Sequence, residues 1–325
     1  MNMSLINNIK RTIKHLDYSS LAPLIALIVL FVISSIASPY FLSTRNILNI
    51  LRQASYTGII ALGMTFVIIT GGIDLSVGSM TAFVGGITIM VLNALGGGYL
   101  AVLVSILVAL GIGTLAGSLN GFLVTKGRIA PFIVTLATMS IFRSMALYMS
   151  GAGEFRSYSN IYPQIGSSYF LGIPTPVWIF IIVTISFHLL LNNTKFGRYA
   201  CAVGYNERVA RYSAIKVDLI KFVSYAITGL TVGITAILLS SRLNSVSSSN
   251  TGLSYELDAI AAVVIGGTAL SGGKGSILGT FIGAFVLGII NNMLNMLGVS
   301  PYLQGTVKGI VILGAVLMQY SKRES

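Results

Sequence analysis

The residues able to do chemistry in this chain are few and scattered. Eight Asp and Glu, two His and one Cys are spread through 325 residues. No Ser, His and Asp set, and no Cys and His pair, falls at a spacing that would assemble a nucleophile with its base. The lone Cys201 excludes an internal disulfide and a cysteine metal cluster, and His15 and His188 show no ligand spacing. No catalytic residue and no metal site are predicted. The run LSGGKGS from Leu270 to Ser276 invites comparison with a phosphate-binding loop. Thr268 stands where that loop needs its first Gly, and Gly275 where it needs Ser or Thr, so this chain is not expected to hydrolyse ATP.

What remains is one polar interval, Asn193 to Lys221, with six cations (Lys195, Arg198, Arg208, Arg211, Lys216, Lys221) against Glu207 and Asp218. Asn206 is an N-cap residue type, and Glu207 follows it where a negative charge suits the helix dipole. A short helix to Ile215 would place Val209, Tyr212 and Ser213 on one face and Arg208, Arg211 and Ile215 on another. By pattern it is either a plug for a groove in a soluble partner or an amphipathic segment on a membrane surface.

The elements that position this interval are apolar. With 54% hydrophobic residues, 9% charged and a mean hydropathy of +0.88, the chain lies far from soluble domains, which are roughly a quarter charged. Charge-free runs reach the roughly 20 residues that a membrane helix needs, and their continuity argues against a period-2 barrel. The predicted fold is all-α, a polytopic membrane bundle of about ten helices, some short or broken. The spans are Leu21 to Ser38, Ile47 to Thr70, Leu75 to Leu95, Leu100 to Val124, Ile129 to Met149, Val177 to Leu191, Leu219 to Ser241, Leu257 to Leu270, Ile277 to Leu297 and Tyr302 to Tyr320. The eighth is too short for a comfortable crossing and reads as re-entrant or packed inside the bundle.

The net charge of +12 is scattered over the short connections rather than gathered in one basic and aromatic patch, so no nucleic-acid partner is expected. Most of the 20 Lys and Arg, including Lys10, Arg11, Lys14, Lys126, Arg128, Lys274, Lys322 and Arg323, fall on one side if the spans alternate. By the positive-inside rule that side, with both termini and the 193–218 loop, is cytoplasmic. The polar stretches Ser150 to Pro174 and Arg242 to Tyr255 then read as exposed outer loops. A weak echo links TFVIITGGIDLSVGS (Thr65 to Ser79) with AAVVIGGTALSGGKGS (Ala261 to Ser276), and paired broken segments of this kind point to a transport site.

Four stretches carry a family resemblance: GGIDLSVGSM (Gly71 to Met80), GRIAPFIVTLATM (Gly127 to Met139), TKFGRYACAVGYNERVARYSAI (Thr194 to Ile215) and VVIGGTALSGGKGSILGTFIGA (Val263 to Ala284). In this order, over about Leu21 to Met318, the chain resembles the permease subunits of bacterial sugar-importing ABC transporters of the ribose, xylose and galactose type. The resemblance implies a single transmembrane domain over 21–320 between cytoplasmic segments 1–20 and 321–325, in the bacterial inner membrane. It implies a second permease chain, identical or different, two cytosolic ATPase subunits or one fused ATPase, an extracytoplasmic sugar-binding protein and surrounding lipid. ATP and Mg would sit on the ATPase, with no cofactor on this chain.

By the same likeness Gly204, Asn206, Glu207, Arg208, Ala210 and Arg211 match the helix that docks into the ATPase, although Tyr205 and Val209 replace smaller residues usual there. A sugar needs only a weakly polar path, for which Gln53, Thr65, Asn120, Thr135, Asn291 and Asn295 are candidates, equally suited to bonding between helices. Gly71, Gly72, Asp74, Gly272 and Gly273 form candidate gating turns, with Asp74 placed to pair with Lys126 or Arg128. Arg52, Arg143 and Lys308 are expected to snorkel to an interface. Glu154, Arg156, Glu256 and Asp258 are candidates for docking the binding protein. A self-sufficient secondary transporter and a membrane scaffold are the competing readings.

Overall fold

The structure, a computed structural model, describes residues 18–300, 303–311 and 313–314. The N-terminal cations, His15, the tail 321–325 and the end of the last expected span lie outside these residues. In order the elements are α1 (Tyr18–Ala37), α2 (Thr44–Ile69), α3 (Val77–Ala94), α4 (Tyr99–Thr125), α5 (Pro131–Ser150), β1 (Glu154–Arg156), α6 (Pro163–Ser167), β2 (Tyr169–Phe170), β3 (Ile173–Pro174), α7 (Thr175–Asn193), α8 (Lys195–Tyr205), α9 (Glu207–Tyr212), α10 (Val217–Leu243), β4 (Ser245–Ser247), α11 (Tyr255–Ile265) and α12 (Ile277–Met296). Residues 303–311 are also helical. Among the described residues, seven helices are long and apolar enough to cross a membrane. The expected ten is therefore loose: α1 is a shorter apolar segment, α11 has 11 residues, and the last helix is only partly described.

Helix ends follow local chemistry. Ser43, Thr194, Asn206 and Ser276 each cap a helix by accepting a hydrogen bond from a backbone N–H of its first turn. Pro131 sits in the first turn of α5, where no N–H is needed. The bundle is built around α2, which is buried nearly throughout. Two other helices, α4 and α10, pack most closely on each other and meet through glycines at four-residue spacing. A Cβ on Gly113 or Gly117 would lie 2.5 Å from the Gly229 carbonyl or 2.3 Å from that of Tyr225. Such small-residue faces let backbones approach where lipid gives no hydrophobic drive.

One end of the bundle, the basic end, gathers the last turns of α2, α4 and α7, all of α8 and α9, and the first turns of α5, α10 and α12. At the other end β1 pairs antiparallel with β4, setting Phe155 opposite Val246. The connection after α5 packs onto α10 rather than standing free: Tyr162 is fully buried and shares a 2.6 Å hydrogen bond with Ser240.

The stretch after α10 corrects the expectation of an exposed outer loop. Val246 and Ser248 are buried, and Gly252 packs so closely on the start of α3 that a Cβ on Gly78 would lie 2.1 Å from its carbonyl. The segment folds back into the bundle because Gly and Ser allow backbone to meet backbone. The helix α11 begins there and descends to the basic end without crossing from side to side.

Candidate functional site

The polar interval forms a compact device at the basic end. Asn206 leaves the helical conformation after α8, and its side chain accepts from the Val209 N–H at 3.1 Å, starting the six-residue α9. That helix stops at Tyr212, three residues before the expected end. Glu207 binds Arg211 at 2.9 Å and Lys221 at 2.6 Å, and Arg211 also binds Asp218 at 2.7 Å. The two acids of the interval are thus both spent in clamping α9 to α10. The role of Lys221 is visible only in the fold, since 14 residues of chain separate it from Glu207.

The hydrogen bond from Lys221, with a further one from Arg211, holds the Glu207 carboxyl below its ordinary range, against the opposing effect of partial burial. The Glu207 and Asp218 carboxylates hold the Arg211 guanidinium above its ordinary value. Both groups are partly exposed, so the clamp orients more than it stabilises. Ala210 is buried on the inner face. On the outer face Tyr205, Val209 and Tyr212 are 82%, 57% and 90% exposed, and Arg208 is exposed beside them. A shallow groove of about 370 Å³ runs between α8 and α9, lined by Cys201, Ala202, Tyr205, Val209 and Ser213 among others. Tyr205 at the end of α8, with Val209 and Tyr212 on the short, ion-locked α9, faces water and forms a surface suited to a protein partner.

Gly204 connects this surface to the interior. A Cβ there would lie 1.7 Å from the Ile69 carbonyl and 2.5 Å from the Gly273 N–H nitrogen. The Gly273 N–H itself donates to Ile69 at 2.9 Å, and Gly71, Gly272 and Gly273 hold φ values of 78°, 82° and 82° that favour glycine. The end of α8, the break after α2 and the break before α12 therefore meet at one backbone junction. The two segments that echo each other in sequence touch here, and one turn further in Thr65 and Thr280 share a 2.9 Å hydrogen bond.

Asp74 does not pair with Lys126 or Arg128. It is fully buried, its Oδ1 accepts from the Ser76 hydroxyl at 2.6 Å and backbone N–H at 2.9 Å, and the Asn120 amide stands 3.4 Å from Oδ2. It closes the first break as a local turn, and Asn120 ties that turn to α4.

The remaining candidates do not converge. Thr65 is bonded between helices, Thr135 bonds back to Pro131 within α5, and Gln53 and Asn295 are exposed on α2 and α12, the latter accepting from Gln304 at 2.9 Å. Asn291 keeps a buried, unpartnered Oδ1. The three cations expected to snorkel each have partners within the chain. Arg52 is buried and donates to Tyr169, Arg143 donates to the carbonyls of Ser248 and Thr251, and Lys308 binds Asp258 at 2.9 Å. Each finds a partner in the chain, which costs less than a bare charge near lipid.

Glu154 and Arg156 are exposed on β1 and paired with each other at 3.3 Å. Glu256 and Asp258 are misplaced by sequence: Asp258 is buried in its pair with Lys308, and Glu256 lies on α11 against Gly78. Neither stands on an exposed loop, because the segment leading to them has folded inward.

Comparison with known proteins agrees with this architecture. Residues 46–316 match the family described as branched-chain amino acid transport system / permease component. Over 304 residues the chain is 47% identical to the ribose import permease protein RbsC of Bacillus subtilis (strain 168), covering 93% of both chains. It is 35% identical to the L-arabinose transport system permease protein AraH of Escherichia coli (strain K12), over 93% of this chain and 90% of that one. It is also 35% identical to the xylose transport system permease protein XylH of the same strain, over 88% and 87%. No solved structure matches the chain.

Proposed function

This chain belongs to the permease-component family that its residues 46–316 match, and from that premise we propose that it forms half of the membrane pathway of an ATP-driven monosaccharide importer, a pentose such as ribose being the first substrate to test. The named relatives carry pentose names at 35–47% identity over most of the chain, which favours a sugar over the amino acid in the family description.

In this reading the basic end faces the cytoplasm, where the cation excess belongs. A second permease chain completes the pathway, an ATPase bearing ATP and Mg docks on α9, and an extracytoplasmic binding protein delivers sugar to the opposite end, where Glu154 and Arg156 are exposed. The observation that carries the proposal is the route from surface to interior. The exposed face of α9 is fixed by the Glu207 clamp, and Gly204 sets the preceding helix against both helix breaks. A partner that pulls on α9 therefore moves the ends of α2 and α12 together, and no chemistry on the sugar is required.

The test is reconstitution of the chain with its ATPase and binding protein in vesicles. Uptake of labelled ribose that needs ATP and all three components supports the reading, and failure to import any monosaccharide ends it. A self-sufficient transporter would use an ionisable group at mid-depth, and Glu256 supplies one. Uptake driven by an ion gradient without the ATPase would select that reading instead.

A further inference from the structure

A polar cleft lies near the middle of the bundle. Arg143 stands roughly 18 Å along α5 from its start at the basic end, at 1.5 Å per residue, about halfway through a hydrocarbon core of roughly 30 Å. The helix α11 agrees: its 11 residues rise roughly 16 Å from the second break to Tyr255. At this depth α3 and α11 both begin, and α5 passes beside them. The open cleft between them is about 400 Å³ and is lined by Ser79, Ser140, Arg143, Ser144, Ser254 and Glu256, with Met139 and Leu253 adding apolar surface.

The polar groups are held but not used up. Two guanidinium nitrogens of Arg143 donate to Ser248 and Thr251 carbonyls at 2.7 and 3.0 Å, which aims the side chain and leaves other N–H groups of its five free. Glu256 makes no ion pair among the described residues, and its Oε2 is fixed against the start of α3, 2.6 Å from where a Cβ of Gly78 would stand. Among the described residues, the hydroxyls of Ser79, Ser144 and Ser254 make no side-chain hydrogen bond. Fixed donors, a fixed acceptor and rotatable hydroxyls around a small-molecule volume match a ligand whose neighbouring hydroxyls both give and accept.

We propose that this cleft is a transit site for a monosaccharide, with Arg143 donating to and Glu256 accepting from adjacent sugar hydroxyls. The proposal rests on the import reading above and locates the sugar within it. It also explains why intramembrane charge is retained here, since a site filled and emptied in each cycle needs polar groups with hydrogen-bonding capacity left over.

The experiment introduces Ser144→Cys into a Cys201→Ser background, so that the chain carries one thiol, and measures its labelling by a water-soluble thiol reagent in the reconstituted transporter. Ribose, or whichever monosaccharide the wild type imports, should slow labelling several-fold, and L-leucine should not. Adding Glu256→Gln should raise the sugar concentration for half-maximal protection about tenfold, the worth of one charge-assisted hydrogen bond. No protection by a sugar that the wild type imports overturns the site, as does equal protection by leucine or an unchanged concentration in Glu256→Gln. A wild type that imports no sugar refutes the functional reading instead.

Discussion

Gly204→Ala is the most direct test of the junction between surface and interior. Helix propensity alone predicts a gain, since Ala in a helix is favoured over Gly by up to about 1 kcal/mol. The structure predicts a loss. The new Cβ would stand 1.7 Å from the Ile69 carbonyl, and contacts under 3.0 Å are not tolerated, so the end of α8 must withdraw by at least 1.3 Å. The atoms in the way are backbone of α2 and of the second break, which no rotamer change can move. Overpacking of this kind costs about 1–3 kcal/mol, and a shift that breaks the bond from Gly273 to Ile69 adds about 1 kcal/mol.

The net loss is about 1–3 kcal/mol. Thermal melting of the detergent-purified chain should show a Tm lower by several degrees, at roughly 2–4 °C per kcal/mol. Gly111→Ala is the control: Gly111 lies in α4 with nothing within 4 Å of an added Cβ, and there propensity should win and Tm should hold or rise. In vesicles, Gly204→Ala should also lower sugar imported per ATP hydrolysed. A Gly204→Ala protein that melts at or above the wild type and transports with unchanged stoichiometry would refute the junction.

Other perturbations separate the parts of the site. Glu207→Gln removes two partly exposed ion pairs, costs about 1 kcal/mol, and should lower uptake per ATP while the chain stays folded. Because the Lys221 and Arg211 hydrogen bonds depress the Glu207 pKa, its contribution is complete above the ordinary carboxylate range and is lost as pH falls through the lowered value. The Tm difference between wild type and Glu207→Gln should be constant from neutral pH down to about 5 and narrow only as pH falls below the ordinary carboxylate range. Tyr212→Ala, at a side chain exposed in the single chain, should leave Tm unchanged but weaken ATPase binding by about 2 kcal/mol if it is an anchor, read by titration with the purified ATPase. Lys308→Met strands buried Asp258 and should cost about 3–5 kcal/mol, with much of the Tm recovered on adding Asp258→Asn; no recovery would mean that the pair is not the cause.

Much of this protein is decided locally, and that part was legible in the residues. An apolar run such as Leu100 to Val124 must form a helix in lipid, since every backbone group has to be satisfied within the segment. Asn206 caps α9 through an atom three residues from its partner. The glycines at 71, 272 and 273 mark breaks because positive φ is a property of the single residue. The motifs around them carried the family.

Other features needed the fold. The residues from Arg242 to Tyr255 are mostly Ser, Asn, Thr and Gly, a composition that reads as solvent-facing loop. The β1–β4 pairing, the Gly252 to Gly78 contact and the carbonyls that receive Arg143 turn that stretch inward and carry Glu256 and Asp258 with it. Hydropathy cannot separate a polar loop in water from one whose polar groups are satisfied by a distant helix. Asp74 differs from a surface acid for the same reason: its partner Asn120 lies on another helix. Local hydrogen bonding and burial scale set the helices and their ends; which backbone meets which, and hence where polar groups are left for a ligand, was decided by packing between segments far apart in the chain.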